Sequence, residues 1–353
     1  MMNFLCAEGS IRYRFGQEGV MSMYLAVDGG GSKIAAVVYD RELHPVCEAR
    51  SGGVNITQNT LEDIKAHICE CVSQIARHTD EIEEVDEVFV GGKEIFEEEL
   101  AARVQVKGIR RIAEPVAGLL AGVCRKDGLL ALSGTGSDVF IIKGGTVAGS
   151  VGGWGPVMGD QGSGAWIGLQ ALRAVAREMN GWGQKTLLTP YICEKLSIPN
   201  NKYPPPSVVK SPAPYAMAAS VVPLVGKAAY ENDEIALDIF HRAGENMGRQ
   251  LEALIKRFGP TDEREIVLCG GAWKAHPSML ESCQNYMRAI DGRFTLVRPC
   301  FEQVLAGPAL RLLDGGMSEN EVRHVLADRF PKYIVNAGGI YARTEWNSIS
   351  ITF

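Results

Sequence analysis

Tyr24-Leu25-Ala26-Val27-Asp28-Gly29-Gly30-Gly31-Ser32-Lys33 runs from an apolar segment through an acid into a glycine turn, and Ile34 to Tyr39 is a second apolar run. Strand, glycine turn and returning strand spell a β-hairpin. The plan returns one domain length later as Leu129-Leu130-Ala131-Leu132, then Ser133-Gly134-Thr135-Gly136-Ser137-Asp138, then Val139 to Ile142. A supersecondary unit repeated at that spacing predicts two α/β domains. Each is founded on a hairpin that continues into a mixed sheet flanked by helices, with a cleft between the two. The expected bounds are 22–126 and 127–353, and the tail 315–353 is expected to return to the first domain.

Between the hairpins the pattern predicts a helix over 61–75, a strand over 85–90 and a helix over 116–123. Behind the second hairpin come a helix over 165–179, a Pro-rich loop over 199–214, an amphipathic helix over 234–258 and a strand over 266–269. Residues 1–21 carry scattered charges and read either as a disordered leader or as an over-long start.

Bulk properties exclude several classes. The 353 residues are 46% hydrophobic and 22% charged, a globular composition. A net charge of −6 and a pI near 5.7 argue against a surface that tracks nucleic-acid phosphates. No stretch approaches the roughly 18 uninterrupted apolar residues of a membrane span, and there is no signal-peptide core. Nine cysteines without a CxxC pair read as free thiols in a reducing, cytoplasmic setting, not as a disulfide framework or zinc site.

The glycine turns offer seats for a polyphosphate, because backbone N–H groups in such turns approach dense negative charge more closely than side chains can, while the first turn taken alone reads as a plain hairpin. Neither turn is a Walker loop or a dinucleotide fingerprint, since a β-like segment follows each. The donors offered are Gly30, Gly31, Ser32 and Lys33 in the first turn and Gly134, Thr135, Gly136 and Ser137 in the second. Lys33 reads equally as a solvated hairpin charge. Asp28, an acid at the end of a buried strand, is costly unless it meets a cation, and Mg²⁺ bridged through water is the natural one beside phosphates. In Gly152-Gly153-Trp154-Gly155-Pro156-Val157-Met158-Gly159-Asp160-Gln161-Gly162-Ser163-Gly164, Trp154 offers a flat apolar face and Asp160 an acceptor for hydroxyls, the usual pair for a sugar ring. Trp154 also reads as a core aromatic, and Asp160 as the cap of the helix that follows.

In order and spacing these residues resemble the N-acetylglucosamine kinase branch of the BadF/BadG/BcrA/BcrD ATPase family, within the actin-like ATPase superfamily. Asp28 to Lys33 resembles its first phosphate motif, Ser133 to Ser137 its second, and Gly153 to Ser163 its sugar-and-hinge segment. Phe240 to Arg249 and Leu268-Cys269-Gly270-Gly271-Ala272-Trp273-Lys274 resemble its downstream helix and adenosine-side motif. The resemblance covers about residues 22 to 312. It implies two actin-like (ribonuclease H-like) domains, ATP and Mg²⁺ in the interdomain cleft, and phosphoryl transfer to an amino sugar as the cleft closes. The acceptor it implies is N-acetylglucosamine, converted to its 6-phosphate by a homodimer. Carried over residue by residue, Gly270, Gly271 and Ala272 join the nucleotide side. Asn55, Gly153, Trp154 and Asp160 join the sugar side, Asn55 reading also as a turn residue.

One departure affects the chemistry. The family's aspartate base precedes the second phosphate motif, where this chain reads Ile112-Ala113-Glu114-Pro115-Val116. The aspartate position falls on Pro115, which leaves Glu114 as the candidate base, or as a charge beside a helix dipole. A nucleotide or sugar sensor with lost or weak transfer is therefore the alternative reading. The electron-transfer activators of the wider family need cysteines placed to share an iron–sulfur cluster, and no matching pair is present.

Overall fold

The computed structural model describes residues 22–30, 33–54, 59–78, 84–91, 98–100, 102–199, 204–259 and 262–335. Gly31, Ser32 and Asn55 lie outside the described residues, as do 1–21 and 336–353.

Both hairpins form. Strand β1 (Met23–Gly29) pairs antiparallel with β2 (Lys33–Asp40), which turns back into β3 (Pro45–Gly52). Parallel strands β4 (Glu87–Gly91) and β5 (Ile109–Arg111) complete the order β3-β2-β1-β4-β5. In the second sheet β6 (Gly128–Ser133), β7 (Ser137–Lys143) and β8 (Thr146–Gly152) form the antiparallel meander. Parallel β9 (Glu265–Cys269) and β10 (Thr295–Val297) give the order β8-β7-β6-β9-β10. The repeat visible as two hairpins thus extends to two five-stranded sheets with the same order and strand directions.

Helix α1 (Leu61–Ala76) begins at a reciprocal capping box. The Thr60 hydroxyl accepts from the Asp63 N–H at 3.1 Å, while the Asp63 carboxylate takes the Thr60 N–H at 3.0 Å. Its buried stripe of Ile64, Ile68, Cys71, Val72 and Ile75 covers Leu25, Val27, Ile34, Ala36 and Val38 of the first sheet. Side chains alternate across a strand, so Ala26, Ala35, Val37 and Tyr39 turn to the opposite face and enter a central core.

That central core belongs to both sheets. It holds α2 (Glu114–Val123) together with Leu130, Ile142, Val267 and Cys269 from the second sheet. The second sheet's other face packs on α3 (Gly164–Met179) and the long α4 (Glu234–Phe258) through Leu129, Ala131, Ile167, Phe240 and Met247. Two C-terminal helices, α5 (Ala306–Asp314) and α6 (Glu319–Arg329), return to the central core. Two glycines set the close approaches. A Cβ at Gly118 of α2 would lie 2.8 Å from Cys269 Sγ, and one at Gly307 of α5 only 2.6 Å from Phe89 Cβ. Helix α2 is therefore pressed on the second sheet and α5 on the first, which puts the start of α2, with Glu114, at the junction of the two sheets. Behind α6, Phe330 meets Tyr39 edge-on at 6.0 Å and the Arg50 guanidinium lies 5.4 Å over the Tyr333 ring.

The 199–214 segment, expected as a loop, contains a helical turn at Pro206–Val209. Proline pre-sets φ for a first helical position and lacks only an N–H that would be unpaired there anyway. The eight described cysteines are free thiols, seven of them buried. No helix among the described residues is long and apolar enough to cross a membrane.

Candidate active site

Asp28 stands one residue before the end of β1 and is opposite Gly91 of β4 in the parallel register. The Gly30 N–H donates to the Lys33 carbonyl at 2.9 Å and closes the first turn, while the Gly30 carbonyl accepts from Val54 at 3.1 Å. Burial pushes the Asp28 carboxyl from its ordinary 3.8 up to about 7; the neighbouring Glu114 carboxylate adds to the rise, Lys33 opposes it and Glu302 adds a little. Among the described residues no hydrogen-bond donor reaches this carboxylate. A half-buried acid in that condition fits a divalent cation held through water.

Glu114 is the first residue of α2, behind Ala113, which offers no side-chain cap. Pro115 stands at the second helical position. Glu114 remains exposed to solvent, yet the protein packed around its carboxyl raises it above its ordinary value. The structure thus brings Asp28 and Glu114 into one electrostatic field.

The second turn is held by its carbonyls. Gly164 and Ala165, the first residues of α3, donate to the carbonyls of Gly134 and Thr135 at 2.7 and 3.1 Å. A trans peptide points its N–H opposite to its C=O, so the N–H groups of Thr135 and Gly136 are directed away from α3. The Gly270 backbone lies on the same turn: its φ is +100°, and a Cβ there would stand 2.1 Å from the Ser133 carbonyl oxygen. Only glycine fits that position. The buried Trp273 indole donates to the Ala131 carbonyl at 3.1 Å and pins the Gly270–Ala272 turn beneath β6. Gly134, Thr135, Gly136, Ser137, Gly270, Gly271 and Ala272 are thereby gathered at the ends of β6 and β9.

Asp160 is wedged between this turn and the Trp154 turn. It is 5% exposed, with φ +56°. Its carboxylate accepts from the Gly155 N–H at 3.1 Å, and a Cβ at Gly136 would sit 2.8 Å from its Oδ2. Burial raises it, partly offset by bonds from the backbone of Gly155 and Ser137. It does not cap α3; Ser163 does, accepting from Trp166 N at 3.1 Å. Trp154 is 71% exposed and so is not a core aromatic. Gly153, with φ +67°, bonds through its N–H to the Ser137 carbonyl at 3.0 Å, which fixes the Trp154 turn to the second glycine turn.

Two carboxylates at the site were not singled out from the sequence. Asp138 follows Ser137 directly, and a Cβ at Gly153 would lie 2.7 Å from its Oδ2. Burial pushes its carboxyl up to about 6, the Val139 N–H opposes, and Asp160 adds to the rise. An acid opening an otherwise apolar strand was a readable signal. Glu302 had none: it reaches Lys33 Nζ at 2.5 Å across 269 residues of chain. Lys33 is accordingly paired, not merely solvated.

A family model described as the BadF/BadG/BcrA/BcrD ATPase family matches residues 25–291. The chain is 24% identical over 261 residues to the N-acetylmuramic acid/N-acetylglucosamine kinase of Clostridium acetobutylicum, covering 71% of this chain and 85% of that one. It is 25% identical over 281 residues to the N-acetyl-D-glucosamine kinase of Dictyostelium discoideum, covering 70% and 85%. A solved structure from Chromobacterium violaceum, described as a candidate N-acetylglucosamine kinase, superposes with a TM-score of 0.61 at 20% identity over 83% of this chain and 99% of that one. At that identity the likeness speaks for the fold, the actin-like one. The matched span takes in both hairpins, the Trp154 turn and the Gly270–Ala272 turn, and on that ground this chain belongs to the BadF/BadG/BcrA/BcrD ATPase family.

Proposed function

We propose that the chain is an ATP-dependent sugar kinase whose acceptor is an amino sugar, with N-acetylglucosamine converted to its 6-phosphate as the preferred reaction. The observation that supports the reading is the shared electrostatic field of Asp28, at the first glycine turn, and Glu114, which also reaches Cys269 at the start of the Gly270–Ala272 turn. The two named kinases among its relatives support the substrate class.

In this reading the N–H groups of the Gly30–Lys33 and Gly134–Ser137 turns bind the phosphates, and Gly270, Gly271 and Ala272 receive the nucleoside. Asp28 would hold Mg²⁺ through water, and the ion would supply neutralisation of phosphate charge. Asn55, Gly153, Trp154 and Asp160 orient the sugar. Its 6-hydroxyl oxygen bonds to the γ-phosphorus as the bond to the β–γ bridging oxygen breaks, ADP leaves, and the hydroxyl proton passes to the Glu114 carboxylate. Positioning supplies most of the acceleration, and closure of the cleft brings the groups together.

A coupled assay of ADP release with Mg²⁺ against N-acetylglucosamine, glucosamine, N-acetylmuramic acid and glucose tests this. Turnover that depends on sugar and is fastest with N-acetylglucosamine is expected. If calorimetry detects ATP or sugar binding but no sugar drives turnover, the chain is a sensor and not a kinase.

Trp154→Ala is expected to raise the KM for sugar about tenfold, the ~1–2 kcal/mol of a ring stacked on an aromatic face, with kcat nearly unchanged. Because the indole is exposed, the melting temperature should stay within about 1 °C of wild type. A fall in melting temperature with no change in KM would assign Trp154 to the fold.

A further inference from the structure

We propose that Glu302 is a positioning residue for the reaction: with Arg50 it forms a fixed mount that presents the Lys33 ammonium to the phosphates of the nucleotide. The inference rests on the nucleotide reading above.

The mount is built from parts distant in sequence. Glu302 Oε2 takes the Lys33 ammonium at 2.5 Å, and both Glu302 oxygens take the Arg50 guanidinium, each at 3.1 Å. Such a two-pronged pair fixes direction as well as charge. Arg50 is held in turn by the Tyr333 ring beneath it, and its peptide exchanges hydrogen bonds with the Gln74 side chain at 3.1 and 2.8 Å. The backbone of Glu302 is equally tied. Its N–H donates to the Tyr333 carbonyl at 2.9 Å, while the N–H groups of Cys300 and Phe301 donate to Gly122 and Ala121 at the end of α2. The bonds from Arg50 and Lys33, working against burial, hold the Glu302 carboxyl below its ordinary value, so it is an anion.

Magnitudes favour a role in position over one in stability. The Lys33 side chain is 44% exposed and that of Glu302 22%, and an ion pair so open to water contributes little to folding. A free lysine, however, spreads over many rotamers and must give up that freedom to hold a phosphate. Pinning it beforehand removes that cost from phosphate binding. The charge count agrees: Arg50 offsets Glu302, so the cluster keeps one net positive charge, which Lys33 carries beside Asp28. An ammonium has three donors, and Glu302 occupies one of them.

The test is a double-mutant cycle on MgATP affinity by calorimetry and on both KM values, using wild type, Lys33→Met, Glu302→Gln and the double variant. Each single change is expected to weaken MgATP binding and raise the ATP KM about five- to twentyfold, leave the sugar KM within twofold, and show no further loss when combined. Independent losses that multiply would overturn the proposal, as would tighter MgATP binding by Glu302→Gln, which would mean that Glu302 withholds the ammonium. If Glu302→Gln melts early, Glu302→Asp keeps the charge on Arg50 but draws the carboxylate back from Lys33, and should weaken MgATP binding alone; an Asp variant with wild-type affinity overturns the proposal. A wild-type protein that binds no MgATP removes the nucleotide reading and this inference with it. Wild-type binding with uncoupled variants removes the inference alone.

Discussion

Glu114→Gln should lower kcat for sugar phosphorylation by about 10²–10⁴, the range for removing a general base, while MgATP affinity changes less than about threefold. The amide keeps the size and polarity of the side chain and removes only its capacity to take the proton. At ~1.36 kcal/mol per decade the loss is ~3–5 kcal/mol of transition-state stabilisation. The competing assignment, a carboxylate interacting with the α2 dipole, predicts something else. It would cost ~0.3–1 kcal/mol of stability and leave kcat alone. The pH profile separates the two further. Burial raises the Glu114 carboxyl above its ordinary value, and the base acts only when ionised. Activity of the wild type should therefore fall tenfold per unit as pH drops below that raised value, and the residual activity of Glu114→Gln should lack this limb. Glu114→Asp is informative as well. It restores the family's side chain at a position one residue early, so its arm retreats, and kcat should fall at least tenfold because transfer tolerates little displacement.

What could be read in advance follows the range of the interactions. The hairpins were legible because a glycine turn between two apolar runs is a local signal, and so was α1, whose apolar stripe repeats within the helix itself. The parallel pairings β1–β4 and β6–β9 were not, since they form across helical crossovers and leave no trace in either strand alone. Trp154 was ambiguous because an aromatic among glycines has no periodicity to assign it a face. Asp160 lost the cap to Ser163, another favoured capping type three residues on; backbone geometry, with Gly162 at φ +97°, decides between them. The Lys33–Glu302–Arg50 cluster joins three separate stretches, and no motif encodes it.

Asp28→Asn should abolish sugar-dependent turnover, by about 10³-fold or more, and yet make the protein harder to unfold at pH 8. The loss follows from the missing charge: an amide holds a hydrated Mg²⁺ poorly, and metal neutralisation of phosphate is worth several kcal/mol in the transition state. The gain follows from linkage. The Asp28 carboxyl titrates near 3.8 in the unfolded chain and at about 7 in the folded one. Between those values the unfolded state sheds its proton first, so wild-type stability is fully present below about pH 4, declines as pH rises and levels off above about pH 7. Asparagine has no proton to shed. The difference in unfolding free energy between variant and wild type, measured in chelator to keep metal out, should be small at pH 4, grow to ~2–4 kcal/mol by pH 7 and then stay constant. A residue that costs the fold stability and is required for turnover has been kept for its chemistry. Should Asp28→Asn instead unfold more easily at pH 8, or retain near-wild-type turnover, the acid at the end of β1 is a structural group and the Mg²⁺ assignment fails.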